Sequence, residues 1–328
     1  MASFNTLKAR ASHLGAALSS RPKDYNPKRS EPFNPDTMKG SVFFHYSASF
    51  DCEAVVAKYE LTDRVAHPDY VTNFLGVRID TSPWPEFLST VKGQVESVPH
   101  PANWHADLIE WASALRAVDE AGPKFTMIEL GCGWGCWINN LGVAARRSGR
   151  EIEVIGVEGS AHHLDNAKRI LELNSIKKGE AKLVHGIAAP ETGRALFPKT
   201  GAGAYGSEPV FFPDDATYAA LMASGNYDEL RTVTLDQLSD GQTVDLLHVD
   251  IQGGEFDYVT GNWDQLCQFV KRIFIGTHGR VIEGKLVEHF LAERWMLEAE
   301  RPSVELVENG TMHLRVDGAQ LWLNPAKA

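Results

Sequence analysis

From residue 124 onward the chain alternates short apolar runs with longer stretches of helical spacing. The run Lys124-Phe-Thr-Met-Ile-Glu-Leu130 reads as a strand, 137–147 as a helix and 152–158 as a second strand. A third strand is expected over 181–188 and a fourth over 244–251. A helix over 255–269, a fifth strand over 271–278 and a helix over 283–295 follow. Two late strand-like runs, 295–301 and 312–323, flank a turn at Asn309-Gly310 and predict antiparallel strands at a sheet edge. Strands alternating with helices predict an α/β fold, a mostly parallel sheet with helices on both faces.

Upstream the pattern is less regular. Leu108, Ile109, Trp111, Ala112 and Leu115 share one helical face within 104–118, as expected of a helix packed on the sheet. Residues 41–105 carry short mixed clusters and read as an accessory region. The first forty residues hold seven Lys/Arg against three Asp/Glu and read as an arm and linker. The expected organisation is therefore 1–40 arm and linker, 41–105 accessory region and 106–328 cofactor-binding domain. Between the third and fourth strands lies an insertion, 190–230, rich in Gly, Ala and aromatics. Segments this long are commonly lids or binding loops, and Gly201-Ala-Gly-Ala-Tyr-Gly-Ser-Glu and Phe211-Phe212-Pro213 could close over a substrate.

Composition narrows the function classes. The 328 residues are 43% hydrophobic with a formal charge of −11, which suits a globular protein and disfavours nucleic acid as a partner. Cys52, Cys132, Cys136 and Cys267 form no CxxC or paired framework, as expected in a reducing cytoplasm. No apolar stretch approaches the roughly 18 residues that span a bilayer.

The first strand ends in Glu129-Leu-Gly131-Cys-Gly133-Trp-Gly135, an acid followed by a glycine staircase. Glycines there let the backbone turn tightly and approach a ligand at the strand's carboxyl end. A dinucleotide fingerprint needs Gly-x-Gly-x-x-Gly, whereas Cys136 stands where the third glycine would fall. No Gly-Lys-Ser/Thr is present, so a phosphate-cradling P-loop is excluded. Glu-x-Gly-x-Gly-x-Gly is the pattern of S-adenosylmethionine (SAM) loops. The second strand also ends in an acid, Glu158, 29 residues past Glu129. An acid at that tip is placed to hydrogen-bond ribose hydroxyls.

Together with the glycine loop and Glu158, Thr232-Val-Thr-Leu-Asp236, Asp245-Leu-Leu-His-Val-Asp250-Ile-Gln-Gly-Gly-Glu255 and Gly276-Thr-His278-Gly-Arg-Val-Ile-Glu283 resemble the FkbM family of class I SAM-dependent methyltransferases. The resemblance spans about residues 125–325. It implies a Rossmann-like methyltransferase sheet and O-methylation of hydroxyls on sugars, glycans or secondary metabolites. Two departures stand out: His248 where many members have Lys, and Glu-Leu-Gly-Cys-Gly-Trp-Gly where many have Asp-Val-Gly-Ala-Asn-x-Gly. Cofactor contacts are expected from Glu129, Gly131, Cys132, Gly133, Gly135, Glu158, Gly159, Ile187 and Asp250.

Methylating an alcohol requires removal of its proton, by a base or through a metal that acidifies it. Asp250 and His278 end adjacent expected strands and so reach the same crevice. With a reference pKa of about 6.5 His278 is the expected base, and Asp250 and Glu255 would orient it or position the acceptor. Alternatively Asp250, Glu255 and His278 would hold Mg²⁺. Two other readings stay open: a nicotinamide-dependent oxidoreductase, and a non-catalytic cofactor-fold protein in glycan assembly.

Overall fold

A computed structural model of the chain describes residues 46–84, 88–199, 201 and 206–327. The arm and linker expected over 1–40 and residues 202–205 of the insertion lie outside the described residues.

The strands in chain order are β1 (Ser47–Ala48), β2 (Tyr70–Thr72), β3 (Arg78–Asp80), β4 (Lys124–Leu130), β5 (Glu151–Glu158), β6 (Ala181–His185), β7 (Ile187–Ala188) and β8 (Arg194–Pro198). Then come β9 (Val210–Phe211), β10 (Tyr227–Val233), β11 (Val244–Val249), β12 (Val270–Thr277), β13 (Met296–Arg301), β14 (Val304–Glu308), β15 (Thr311–Val316) and β16 (Gly318–Leu323). The helices are α1 (Cys52–Lys58), α2 (Leu108–Asp119), α3 (Cys136–Arg147), α4 (Ala161–Leu173), α5 (Asp215–Ala223), α6 (Leu235–Ser239), α7 (Glu255–Gly261), α8 (Trp263–Phe269) and α9 (Arg280–Ala292).

Eight strands form the main sheet in the order β1-β13-β16-β12-β11-β4-β5-β6. The five from β12 to β6 are parallel, and the antiparallel pairings gather at the β1 end. The chain winds outward from β4 through β5 to β6 and then returns to β11, on the other side of β4. This reversal opens a crevice at the carboxyl ends of β4 and β11, where α/β sheets bind ligands.

Two apolar layers flank the sheet. Phe125, Met127, Leu246 and Phe274 point toward α2 and α3, whereas Ile128, Leu130, Leu247, Val249 and Ile273 point toward α9. The period-two alternation of parallel strands buried on both faces explains why β4 and β12 read as continuous apolar runs. Val56, Phe74, Leu75 and Ile79 from the accessory region join the first layer with Trp111 and Leu115. Asn73 donates to Asn140 of α3 (2.7 Å), tying that region to the helix behind the glycine loop.

Three local expectations change. The run 181–188 is broken at Gly186: β6 stays in the main sheet, while β7 pairs with β10 in a separate sheet of order β7-β10-β8-β9. A side chain at Gly186 would sit 2.9 Å from the Arg231 carbonyl, so the crossing strand leaves no room for one. The insertion is therefore largely built into a small sheet with α5. The helix expected over 255–269 is two helices meeting at Asn262, and the run 312–323 is two strands, β15 and β16. The Asn309-Gly310 turn is as expected, with φ of 52° and 79° closing the β14–β15 hairpin.

Candidate active site

The loop after β4 is left-handed at Gly131, Gly133 and Gly135 (φ 72°, 50° and 75°). At Gly131 a Cβ would lie 2.0 Å from the Asp250 carbonyl oxygen, so the β4 and β11 ends can meet only through glycine. The N–H groups of Gly131 and Cys132 both donate to Val157 O (3.0 Å each), and the Cys132 thiol packs against Gly156. Burial pushes that thiol well above its ordinary range, so Cys132 packs the loop as an un-ionised side chain.

Glu129 is buried, and its two oxygens accept from the N–H groups of Trp137 (3.2 Å) and Ile138 (2.9 Å). It thereby satisfies two amides at the start of α3. Those are the amides that a pyrophosphate would require, so the helix end is closed to a dinucleotide. Burial raises the Glu129 carboxyl to about 8, with the two amides pulling it back.

Glu158 is also buried, at the end of β5. It accepts from Gly133 N–H and Ser160 N–H, both at 2.8 Å, and lies 3.9 Å from Nδ1 of His163 on α4. Burial would raise it, but His163 and the two amides outweigh burial and hold it below the ordinary carboxylate range. An ionised acceptor beside a glycine-lined backbone fits the ribose of SAM. Beyond it, Gly159 lies under the Phe197 ring of β8, where an added Cβ would meet ring carbons at 2.7 Å. Ile187 packs in the same cluster with Ala195 and Leu230.

Across the crevice, His278 follows β12. Its Nδ1 donates to Oε1 of Glu255 (2.8 Å), and its Nε2 lies 3.4 Å from Oδ1 of Asp250. Glu255 is wholly buried at the start of α7, and the same Oε1 accepts from Gly253 N–H (2.9 Å). Asp250 also accepts from Gln252 (3.0 Å), whose φ of 58° turns the chain sharply out of β11. Burial opposes charge on the imidazole, yet Glu255, Asp250 and Asp317 raise His278 to about 9. Asp250 is raised to about 6, first by loss of water and then by Asp317 and Glu255, with His278 pulling the other way. Asp317 follows from register: Thr277 pairs with Gly318 in an antiparallel ladder, so the residue after Thr277, His278, comes level with the residue before Gly318, Asp317. Sequence reasoning missed it, because only the β12–β16 pairing reveals it.

The remaining motif residues serve the framework. Thr234 and Gln237 form a capping box on α6, which accounts for the Thr-Leu-Asp run. Glu283 accepts from Thr277 Oγ1 (2.8 Å) and Ser303 N–H (2.7 Å), binding the end of β12 to the start of β14. His248 lies between Trp137 and Phe274, with ring centroids 5.7 and 5.0 Å away. Burial lowers it to about 3, so this departure from Lys leaves the position uncharged. The Mg²⁺ reading of Asp250, Glu255 and His278 finds no support. Among the described residues no group of three His, Cys, Asp or Glu is arranged to hold a metal ion. Oε1 of Glu255 is engaged with the imidazole and with backbone N–H groups.

Comparison with known proteins places the chain in a family. The methyltransferase FkbM domain profile matches residues 122–299. A protein of Jannaschia sp. (strain CCS1), named provisionally as a methyltransferase, is 46% identical over 270 residues, covering 82% of this chain and 97% of its own. Among solved structures, the METTL16 MTase domain in crystal form 2 aligns over 92% of this chain and 96% of its own at 13% identity, TM-score 0.39. Precorrin-6y C5,15-methyltransferase from Geobacter metallireducens GS-15 aligns over 65% and 85% at 12% identity, TM-score 0.36. Among the described residues no helix is long and apolar enough to cross a membrane.

Proposed function

The chain belongs to the FkbM methyltransferase family and is a SAM-dependent methyltransferase; from that premise we propose that it methylates a hydroxyl of a sugar, glycan or secondary metabolite, with His278 as the proton acceptor. The observation that carries the proposal is His278, held at 2.8 Å by a buried Glu255 and at 3.4 Å from Asp250. Asp250 in turn contacts the glycine loop through Gly131. Cofactor loop and candidate base thus share one crevice edge.

Bound SAM supplies an electrophilic methyl on a sulfonium. As an acceptor oxygen took that methyl in place of the sulfur, its proton would pass to Nε2 of His278. Glu255 fixes the ring by holding Nδ1–H, leaving Nε2 toward the crevice. Positioning then lowers much of the remaining barrier. Asp250, 3.4 Å from Nε2, is placed to orient the acceptor.

Because His278 is raised to about 9, it is charged at neutral pH and becomes a base as pH rises. The parameter kcat/KM reports free-enzyme groups, so it should climb toward about pH 9. A formal charge of −11 and three carboxylates around His278 favour a neutral acceptor over a polyanion such as nucleic acid. The test is S-adenosylhomocysteine release with hydroxylated sugars. His278→Ala should retain SAM binding and lose about 10²–10⁴-fold in turnover. Full turnover in that variant would refute the base.

A further inference from the structure

Glu129 and Glu158 form an internal comparison. Both are buried carboxylates at adjacent strand ends, and each accepts two backbone N–H groups. They differ in one side chain. His163, itself buried on α4, brings Nδ1 to 3.9 Å from Oε1 of Glu158, and among the described residues no histidine, lysine or arginine is paired with Glu129. Ser160 caps α4, its Oγ accepting from His163 N–H (3.4 Å), so the turn that delivers His163 starts two residues after the acid.

We infer that His163 is a positioning residue for the cofactor, holding Glu158 in place as the acceptor of the ribose hydroxyls. The inference rests on the assignment of Glu158 to the ribose. The groups facing Glu158 are Glu129 on β4, Cys132 in the loop, His163 on α4 and His185 on β6. His185 lies opposite in register, with its Nε2 at 2.9 Å from the Gly159 carbonyl. Glu129, raised to about 8, is largely protonated at neutral pH and offers Glu158 no opposite charge, and Cys132 contributes none either. The favourable side-chain contact therefore comes from His163. The two acids respond as this geometry requires: Glu129 is raised to about 8, whereas Glu158 is held low despite its burial.

Without His163 the buried acid loses that contact and keeps its two backbone N–H donors. It then retains a proton at higher pH and ceases to be a pure acceptor. Such a loss worsens as pH falls.

The experiment is calorimetric titration of SAM into wild type, His163→Ala, His163→Gln and each of these combined with Glu158→Gln, at pH 6 and pH 8. We expect His163→Ala to weaken SAM about tenfold at pH 8 and further at pH 6 relative to wild type. His163→Gln, which keeps a donor, should recover part of the loss. In the Glu158→Gln background removal of His163 should cost almost nothing, since coupled residues are non-additive. An equal loss in both backgrounds, or a loss independent of pH, would assign His163 to packing and overturn the inference. Unchanged SAM affinity in His163→Gln and His163→Ala would do the same. If Glu158→Gln itself leaves wild-type affinity intact, the ribose assignment fails instead, a distinct result. Thermal unfolding of each variant identifies any that do not fold, and His163→Gln then carries the comparison.

Discussion

Replacing Glu255 with Gln keeps the shape of the side chain but removes the fixed negative charge beside His278. Two unit charges about 4 Å apart at an effective dielectric near 20 interact by about 4 kcal/mol. One pKa unit corresponds to about 1.4 kcal/mol, so Glu255 alone can account for the lift of His278 from 6.5 to about 9. Burial works against that lift, while Asp250 and Asp317 reinforce it and remain in the variant. The expected result is a fall of about 2–3 units, back toward the ordinary histidine value of about 6.5. Nuclear magnetic resonance of ring-labelled histidine, with the His278 signal assigned by its loss in His278→Ala, reads this directly without an acceptor. A wild-type His278 that titrates near 6.5, or a midpoint unmoved by Glu255→Gln, would refute the electrostatic reasoning behind the base.

Other outcomes follow from the same geometry. Glu158→Ala should weaken SAM about ten- to a hundredfold by calorimetry, because a charge-assisted acceptor is lost; unchanged affinity in a folded variant would remove Glu158 from the cofactor site. Gly131→Ala should lower the unfolding free energy by at least about 2 kcal/mol, since it adds left-handed strain to a contact with the Asp250 carbonyl, and a denaturant titration matching wild type would contradict this. Gly159→Ala should force the Phe197 ring to move and weaken SAM binding, whereas unaltered affinity would place that ring outside the cofactor site.

Much of the cofactor half was legible because its chemistry is local. The apolar run ending in Glu129, the glycine staircase and the acid closing β5 follow one another in sequence, and period-two burial marks the strands. Asn309-Gly310 likewise announced its turn, since both residues adopt positive φ without strain. The acceptor side was less legible because it depends on pairing. Asp317 reaches His278 only through the β12–β16 register, and β7 leaves the main sheet because Arg231 crosses at Gly186. His163 was in plain view five residues after Glu158, but its burial against that acid is a property of the fold. Charge states were the least accessible. A histidine at a strand end suggested a neutral base, whereas Glu255 behind the ring makes it a cation at neutral pH.

The most direct test of hydroxyl methylation by this crevice is transfer of a ¹³C-labelled methyl from SAM to a panel of sugars and hydroxylated metabolites, with the product read by carbon NMR. Label should appear as a methoxy carbon, at a rate that rises toward pH 9 and collapses in His278→Ala. Label on nitrogen, sulfur or carbon, or a methoxy product formed equally well by His278→Ala, would contradict it.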